Sequence, residues 1–384
     1  MKVLQVVLDL GPHSTGVLVT VMRFNEALRA LGHSVQILSF DRQDYTAEES
    51  RESRIVSVPA LIPVLRRYAL SPQAALGEYD SPVKSSDAVF IHALYGHHFT
   101  WAARRAMRWQ KLSFVIPHGA LTDFCLSRRT LIKKAWLASV HRFTEQHATM
   151  IFSSQYEREQ ALHYVRPARS TVMYWPAIEL CGTPHDGPRK PPQRPTLLLV
   201  GRLHPMKRTI ETVRSFRRAR LDGWRLCLAG LPSPEVTVDD LRQASGNDWE
   251  ESVCYLGNLN RSDLSNWYRI ANAVVLFSKG DNFSHAVAEA LLAGCPAYVS
   301  EDVGMGELIR KYECGKVFSI RAEADLDDAL ASTVSDIATN GRTRSHDITA
   351  AARRELSFST FTEKVGQVLG GAAFQLVGAG GTHI

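Results

Sequence analysis

Residues 196–216 read TLLLVGRLHPMKRTIETVRSF. An apolar run reaches Gly201, and beyond the basic loop Ile210, Val213 and Phe216 recur at helical spacing. A short apolar run closed by glycine and followed by an amphipathic helix is the first half of a βαβ unit. Downstream the pattern repeats through WRLCLAG (224–230), SVCYLGNL (252–259), a helix around 263–271, AVVLFS (273–278), an apolar helix inside GDNFSHAVAEALLAG (280–294) and PAYVSE (296–301). Upstream, VLQVVLD (3–9) leads through a loop holding Gly11 and Gly16 into a helical stretch, and SVQILSF, AVFIHA (88–93), SFVIPHG (113–119), ATMIFSS (148–154) and STVMYW (170–175) follow. Strand and helix alternating in this way predict an α/β fold with parallel sheets covered on both faces.

PHDGPRKPPQRP, 184–195, disfavours helix and sheet alike and separates the two series. The expected layout is a first doubly wound domain over 1–183, a linker over 184–195, a second over 196–355, a helix over 356–370 returning to the first domain, and a flexible, glycine-rich tail over 371–384. Two such sheets in series predict a ligand site in a cleft between domains.

Composition narrows the class. The chain of 384 residues is 45% hydrophobic and 22% charged, as expected for a globular protein, with a net charge of +6 that suits an anionic partner. Its six cysteines include no C-x-x-C pair, so a reduced, cytoplasmic setting is expected. The opening MKVLQVVLDLGP is too short and too polar for a signal peptide, and no apolar run approaches the ~20 residues of a membrane span. Any membrane contact is expected to be peripheral. From Trp101 to Arg142, nine basic residues face one acid, Asp123, with tryptophans interleaved. That pattern suits an anionic membrane surface or a lipid-linked phosphate acceptor, and equally a solvated basic face; no nucleic-acid motif accompanies it.

The candidate chemistry lies at the ends of strands. Arg202 follows one, and Lys207 sits where a helix begins, a place that favours an anion rather than a cation. Together they would neutralise a diphosphate. If the 280–294 helix starts near Ser284, its first free amides, from about Phe283 to Ala286, add to the same anion site. No carboxylate cluster of the D-x-D kind appears, so no metal and no cofactor is expected. Glu289 is the lone charge in an otherwise apolar helix and needs partners, either ligand hydroxyls or a neighbouring arginine. Asp281, just ahead of that helix, reads from the residues alone as an N-cap. His118 follows a strand and precedes Gly119, while His92, His97 and His98 read as packing or surface residues.

GRLHPMK followed by a helix, then W-x-L-x-L-A-G, then D-N-F-S-H-A-V-A-E-A-L-L-A-G-C-P together resemble the C-terminal domain of retaining glycosyltransferases of family 4. IPHGALTDF and the Gly11–Gly16 loop extend the likeness over nearly the whole chain. The resemblance implies the GT-B fold, two Rossmann-like domains facing each other across a cleft. It also implies metal-independent transfer of a sugar from a nucleoside diphosphate to an acceptor hydroxyl with retention of configuration, as in polysaccharide or glycoconjugate synthesis. By the same resemblance Arg202 and Lys207 hold the diphosphate and Glu289 the ribose. His118 and Asp281 lie near the transferred sugar. Asn282, Phe283, Ser284 and His285 line the donor, Leu231 and the Gly257–Leu259 turn flank the base, and Thr15 and Gly16 face donor and acceptor. Asp281 stands where the family usually has Glu, Ser284 where it often has Gly, and Thr15 where it often has Gly. These departures leave two rivals: a catalytically silent nucleotide-sugar-binding subunit, and another sugar-nucleotide enzyme of this architecture such as an epimerase or phosphorylase.

Overall fold

The computed structural model describes residues 1–10, 15–40, 55–58, 71–127, 130–177, 194–340 and 345–379. Gly11, Cys181, Arg128, Arg129, most of the proline-rich stretch (184–193) and residues 380–384 lie outside them. The chain divides into two compact units, Met1–Pro176 with Phe358–Ile384, and Ala177–Ser357.

The first unit holds a seven-stranded parallel sheet of β1 (Lys2–Val7), β2 (Ser34–Ser39), β3 (Ile55–Ser57), β4 (Ala88–His92), β5 (Leu112–Ile116), β6 (Ala148–Phe152) and β7 (Arg169–Val172), in the order β3-β2-β1-β4-β5-β6-β7. Every residue of β4 is buried, as a strand covered on both faces must be. On one face Leu4, Val6, Ile91, Val115 and Met150 share a core, each such side chain contributing about 2 kcal/mol by leaving water. On the other, Phe24 of helix Thr15–Ala30 meets Phe90, Trp175 and Phe361 with ring centroids 4.9–5.6 Å apart. Phe361 belongs to the C-terminal helix, Phe358–Ala379, which is how the end of the chain becomes part of the first unit. That helix continues through Gly370 and Gly371 to Ala379, where the glycine content predicts a frayed tail. Local propensity against glycine amounts to about 1 kcal/mol per residue and does not end a helix already nucleated and docked.

The second unit holds a six-stranded parallel sheet of β8 (Thr196–Val200), β9 (Arg225–Ala229), β10 (Val253–Tyr255), β11 (Ala273–Leu276), β12 (Ala297–Ser300) and β13 (Gly315–Phe318), in the order β10-β9-β8-β11-β12-β13. Leu197, Leu199, Leu226, Leu228, Val275 and Phe277 form its core with Val213 and Phe216 of the helix Thr209–Arg218. Both sheets are Rossmann-like.

Candidate functional site

In each sheet the strand order reverses once, and the crevice beyond the carboxyl ends at that reversal is where doubly wound sheets bind ligands. In the second unit the reversal lies between β8 and β11. The segments that follow β8, β9 and β10 are tied together. Gly201 N–H donates to Ala229 O (2.9 Å), Leu203 N–H to Leu231 O (2.8 Å) and Gly230 N–H to Gly257 O (2.9 Å), so the ladder continues past the strands. Gly230 has φ +143°, and a Cβ there would lie 2.0 Å from Gly201 O, so only glycine fits.

The predicted helix at 207 begins instead at Thr209, and Lys207 closes a short 3-10 turn, Pro205–Lys207. His204 Nδ1 accepts from Met206 N–H (3.1 Å), while Met206 O accepts from Lys279 N–H (2.7 Å) and Ser278 Oγ (3.0 Å). This docks the turn on the β11 loop and brings Lys207 Nζ to 2.5 Å from Asp281 Oδ2, both side chains mostly buried. Asp281 is fixed through its backbone: its N–H donates to Asp302 O (2.9 Å) and its O accepts from Gly304 N–H (2.7 Å). Asp281 therefore forms an ion pair and does not cap the helix. Of the three ammonium donors on Lys207, one goes to Asp281. Arg202, just past β8, is exposed. Arg208 does different work, donating to Phe277 O and Ile320 O (3.0 Å each) and binding the ends of the strands together.

The helix His285–Leu292 follows the same loop. Ala288 N–H donates to Ser284 O (3.1 Å), so the amides of Ala286 and Val287, in the first turn, lack intrahelical acceptors. Ser284 precedes them at φ +69°, the left-handed region, with its Oγ buried and without a hydrogen-bond partner among the described residues. Phe283 is buried against the His285 ring (centroids 5.1 Å), and Asn282 is half-buried.

Glu289 is half-buried one turn into this helix. Its protein partner is the fully buried Tyr268, whose hydroxyl donates to Oε2 at 3.4 Å. Tyr268 is presented by helix Arg261–Ile270, which Asn260 caps by accepting from Asp263 N–H (2.9 Å). Burial pushes the Glu289 carboxyl up to about 7, against smaller opposing effects of Tyr268 and Arg261. One long hydrogen bond leaves a carboxylate undersatisfied, which is the physical content of that shift. Leu231 is 55% exposed just past β9, and Gly257 and Leu259 are half-buried just past β10.

In the first unit the reversal lies between β1 and β4. His118, just past β5, has φ +52°, and its Nε2 is 3.1 Å from Nδ1 of His92, the last residue of β4. His92 Nε2 is in turn 3.0 Å from Gln5 Oε1 on β1. Burial, then the adjacent His118 and His98, hold His92 well below the ordinary imidazole value, so it is neutral. With Gln5 presenting its oxygen, His92 donates through Nε2 and accepts at Nδ1 from His118 Nε2–H. His92 is buried and packs edge-on against Phe24 (5.7 Å), and beyond the packing role read from the sequence it is a hydrogen-bonded support of His118. The fully buried Glu157 is a further support: it accepts from Gly119 N–H, from Ser153 N–H (2.7 Å) and from Ser153 Oγ (2.6 Å), fixing the turn that carries His118. Its signal was the S-x-x-E pattern of Ser154 and Glu157 at a helix start. At the start of helix Thr15–Ala30, Gly16 is exposed, and a Cβ there would meet nothing within 4 Å.

The basic, aromatic stretch is partly interior. Trp101 is buried and donates to Ala74 O (2.8 Å), with the Arg105 guanidinium 4.9 Å over its ring, while Arg104 and Arg108 are exposed. Among the described residues no three His, Cys, Asp or Glu side chains gather as metal ligands would, and no helix is long and apolar enough to cross a membrane.

Residues 15–175 match the family described as "Glycosyl transferase 4-like domain", and residues 184–354 match "Glycosyl transferases group 1". Among solved structures, Anabaena HepE in complex with UDP is similar at 16% identity and TM-score 0.76, over 97% of this chain and 100% of that one. The same protein with UDP-glucose gives 15% identity and TM-score 0.73, over 97% and 100%. Sucrose-phosphate synthase from Thermosynechococcus elongatus gives 17% and 0.70, over 99% and 100%. WaaG, a glycosyltransferase involved in lipopolysaccharide biosynthesis, gives 15% and 0.67, over 96% and 99%. No curated protein matches the sequence. With a glycosyltransferase domain matched in each half and both sheets built on the same plan, the chain belongs to the glycosyltransferases of the GT-B fold.

Proposed function

We propose that this chain transfers a sugar from a uridine diphosphate donor to an acceptor hydroxyl, with retention of configuration and without a metal. The observation that carries the reading is that the strand-order reversal of the second unit carries Lys207, oriented by Asp281, the exposed Arg202 just past β8, the first-turn amides of Ala286 and Val287, and an undersatisfied carboxylate, Glu289. The cations and amides suit a diphosphate, and two ribose hydroxyls donating to Glu289 would supply the hydrogen bonds that Tyr268 does not. Uridine is favoured because HepE binds UDP and UDP-glucose.

In this mechanism Lys207 and Arg202 stabilise charge as it develops on the departing diphosphate, and Asp281 keeps the ammonium oriented. The leaving oxygen takes the acceptor's proton on the face from which it departs, so no side-chain base is needed. His118, held by His92 and Glu157, contacts the donor sugar, with Asp281 near it; Asn282, Phe283, Ser284 and His285 line the donor, Leu231 and the Gly257 turn flank the base, and Thr15 and Gly16 serve the acceptor. The acceptor class we favour is a saccharide or glycolipid, in keeping with WaaG, made by a cytoplasmic enzyme that meets anionic membrane through exposed bases such as Arg104 and Arg108.

The test is release of nucleotide from UDP-glucose, UDP-galactose, GDP-mannose and ADP-glucose, with and without EDTA. The reading expects turnover of a UDP-sugar that EDTA leaves unchanged. Turnover of a GDP- or ADP-sugar alone would displace uridine, and binding without release would favour the silent subunit.

A further inference from the structure

Two thiols stand together at the edge of the second sheet, away from any role in sugar transfer. Cys227 on β9 and Cys254 on β10 are direct partners in the parallel register, so their side chains leave the same face. Their sulfurs are 2.7 Å apart, about 0.7 Å longer than the ~2.05 Å of a disulfide bond. Neighbouring strands run ~4.8 Å apart, inside the Cα separation that disulfides adopt, so closing the bond needs side-chain rotation rather than backbone movement. The two sites differ in access. Cys227 is fully buried, whereas Cys254 is half-buried on β10, the edge strand of the sheet.

We propose that Cys227 and Cys254 form a reversible dithiol–disulfide couple, a modification site in which Cys254 is the thiol oxidised first and Cys227 resolves it.

The chemistry balances with a hydroperoxide as oxidant. The Cys254 thiolate attacks the peroxide, the O–O bond breaks, hydroxide leaves, and Cys254 becomes a sulfenic acid. The Cys227 thiol then attacks that sulfur, an S–S bond forms, and the sulfenic oxygen leaves as water; two thiols have lost two electrons and peroxide has gained them. The hydrogen bond between the two sulfurs, with the Arg225 guanidinium, lowers the Cys254 thiol, while the same bond and burial raise Cys227. Access gives each sulfur its part: the half-buried Cys254 meets the oxidant, and the fully buried Cys227 resolves. The other described cysteines, Cys125, Cys295 and Cys314, are not in a disulfide either. The proposal extends the expectation of uniformly reduced cysteines: a reduced compartment keeps the pair as thiols, and oxidant closes it.

The test uses the full chain treated with hydrogen peroxide, then intact mass and peptide mapping. The expected result is loss of two hydrogens, a linked peptide joining residues 227 and 254, and reversal by dithiothreitol. Cys227→Ser should instead leave a sulfenic acid at Cys254 that dimedone traps, and Cys125→Ser should behave as the parent. Should Cys227→Ser fail to fold, Cys254→Ser serves, with loss of the two-hydrogen change as the expected outcome. Oxygen addition without a 227–254 link, a link between other cysteines, or no reaction would each overturn the assignment.

Discussion

Glu289→Gln separates what the carboxylate does for the fold from what it does for the ligand. Burial raises the carboxyl from its ordinary 4.5 to about 7 in the folded chain. Below about pH 4.5 it is protonated folded and unfolded alike and costs nothing. As pH rises, the unfolded chain ionises first while the folded one keeps its proton, so the unfolded state gains stability until about pH 7, where the folded carboxyl also ionises and the loss levels off. The full interval corresponds to about 3 kcal/mol, and partial exposure trims this to about 2. Glutamine keeps the shape and can still accept from Tyr268 without a charge to lose. Urea unfolding of parent and variant across pH 4–8 should therefore give curves that agree at the acid end and diverge through pH 4.5–7, the variant ending about 2 kcal/mol more stable. Shared titrations elsewhere cancel in the difference. Parallel curves, or a variant less stable at pH 8, would refute the claim that this acid is buried without sufficient partners. The same substitution should sharply weaken donor use, making the residue a liability for stability that function retains.

Lys207→Ala should lower transfer about 100-fold or more, the range for losing one donor to a developing charge. Because it also strands Asp281, the fold should lose about 1–3 kcal/mol that Lys207→Ala with Asp281→Ala regains without restoring transfer; a double variant as unstable as the single would contradict the pairing. Gly230→Ala places a methyl where Gly201 O already sits and should cost 3 kcal/mol or more in thermal unfolding, or prevent folding. His92→Phe keeps the buried ring but not the hydrogen bond to His118, so kcat should fall about tenfold with KM nearly unchanged. Equal effects on both would mean that His118 needs no such support.

The parallel sheets were legible because their strands are continuous apolar runs, TLLLV and AVFIH above all, set between helices with clear periodicity. β3 was not, since a strand of three residues has no periodicity to read, and β10 was found within SVCYLGNL but is shorter than that run, Val253–Tyr255. Lys207, Arg202 and Glu289 stood out because each violates a local rule: a cation at a helix start, a base past a strand end, an acid in an apolar helix. The contacts among them were hidden. Nothing in sequence joins Lys207 to Asp281, which meet only because β8 and β11 are neighbours in the sheet. His92 and Glu157 were missed for the same reason: a buried histidine and a buried acid look like packing until the topology sets them against His118 and Gly119.

The central claim is that the strand-order reversal of the second unit holds a nucleoside diphosphate, and calorimetric titration with UDP tests it directly. The account predicts one site on the parent chain, binding at least tenfold weaker in Arg202→Ala and in Lys207→Ala, and unchanged in Arg214→Ala on the outward face of the same βα unit. Equal affinity in all four proteins would contradict it.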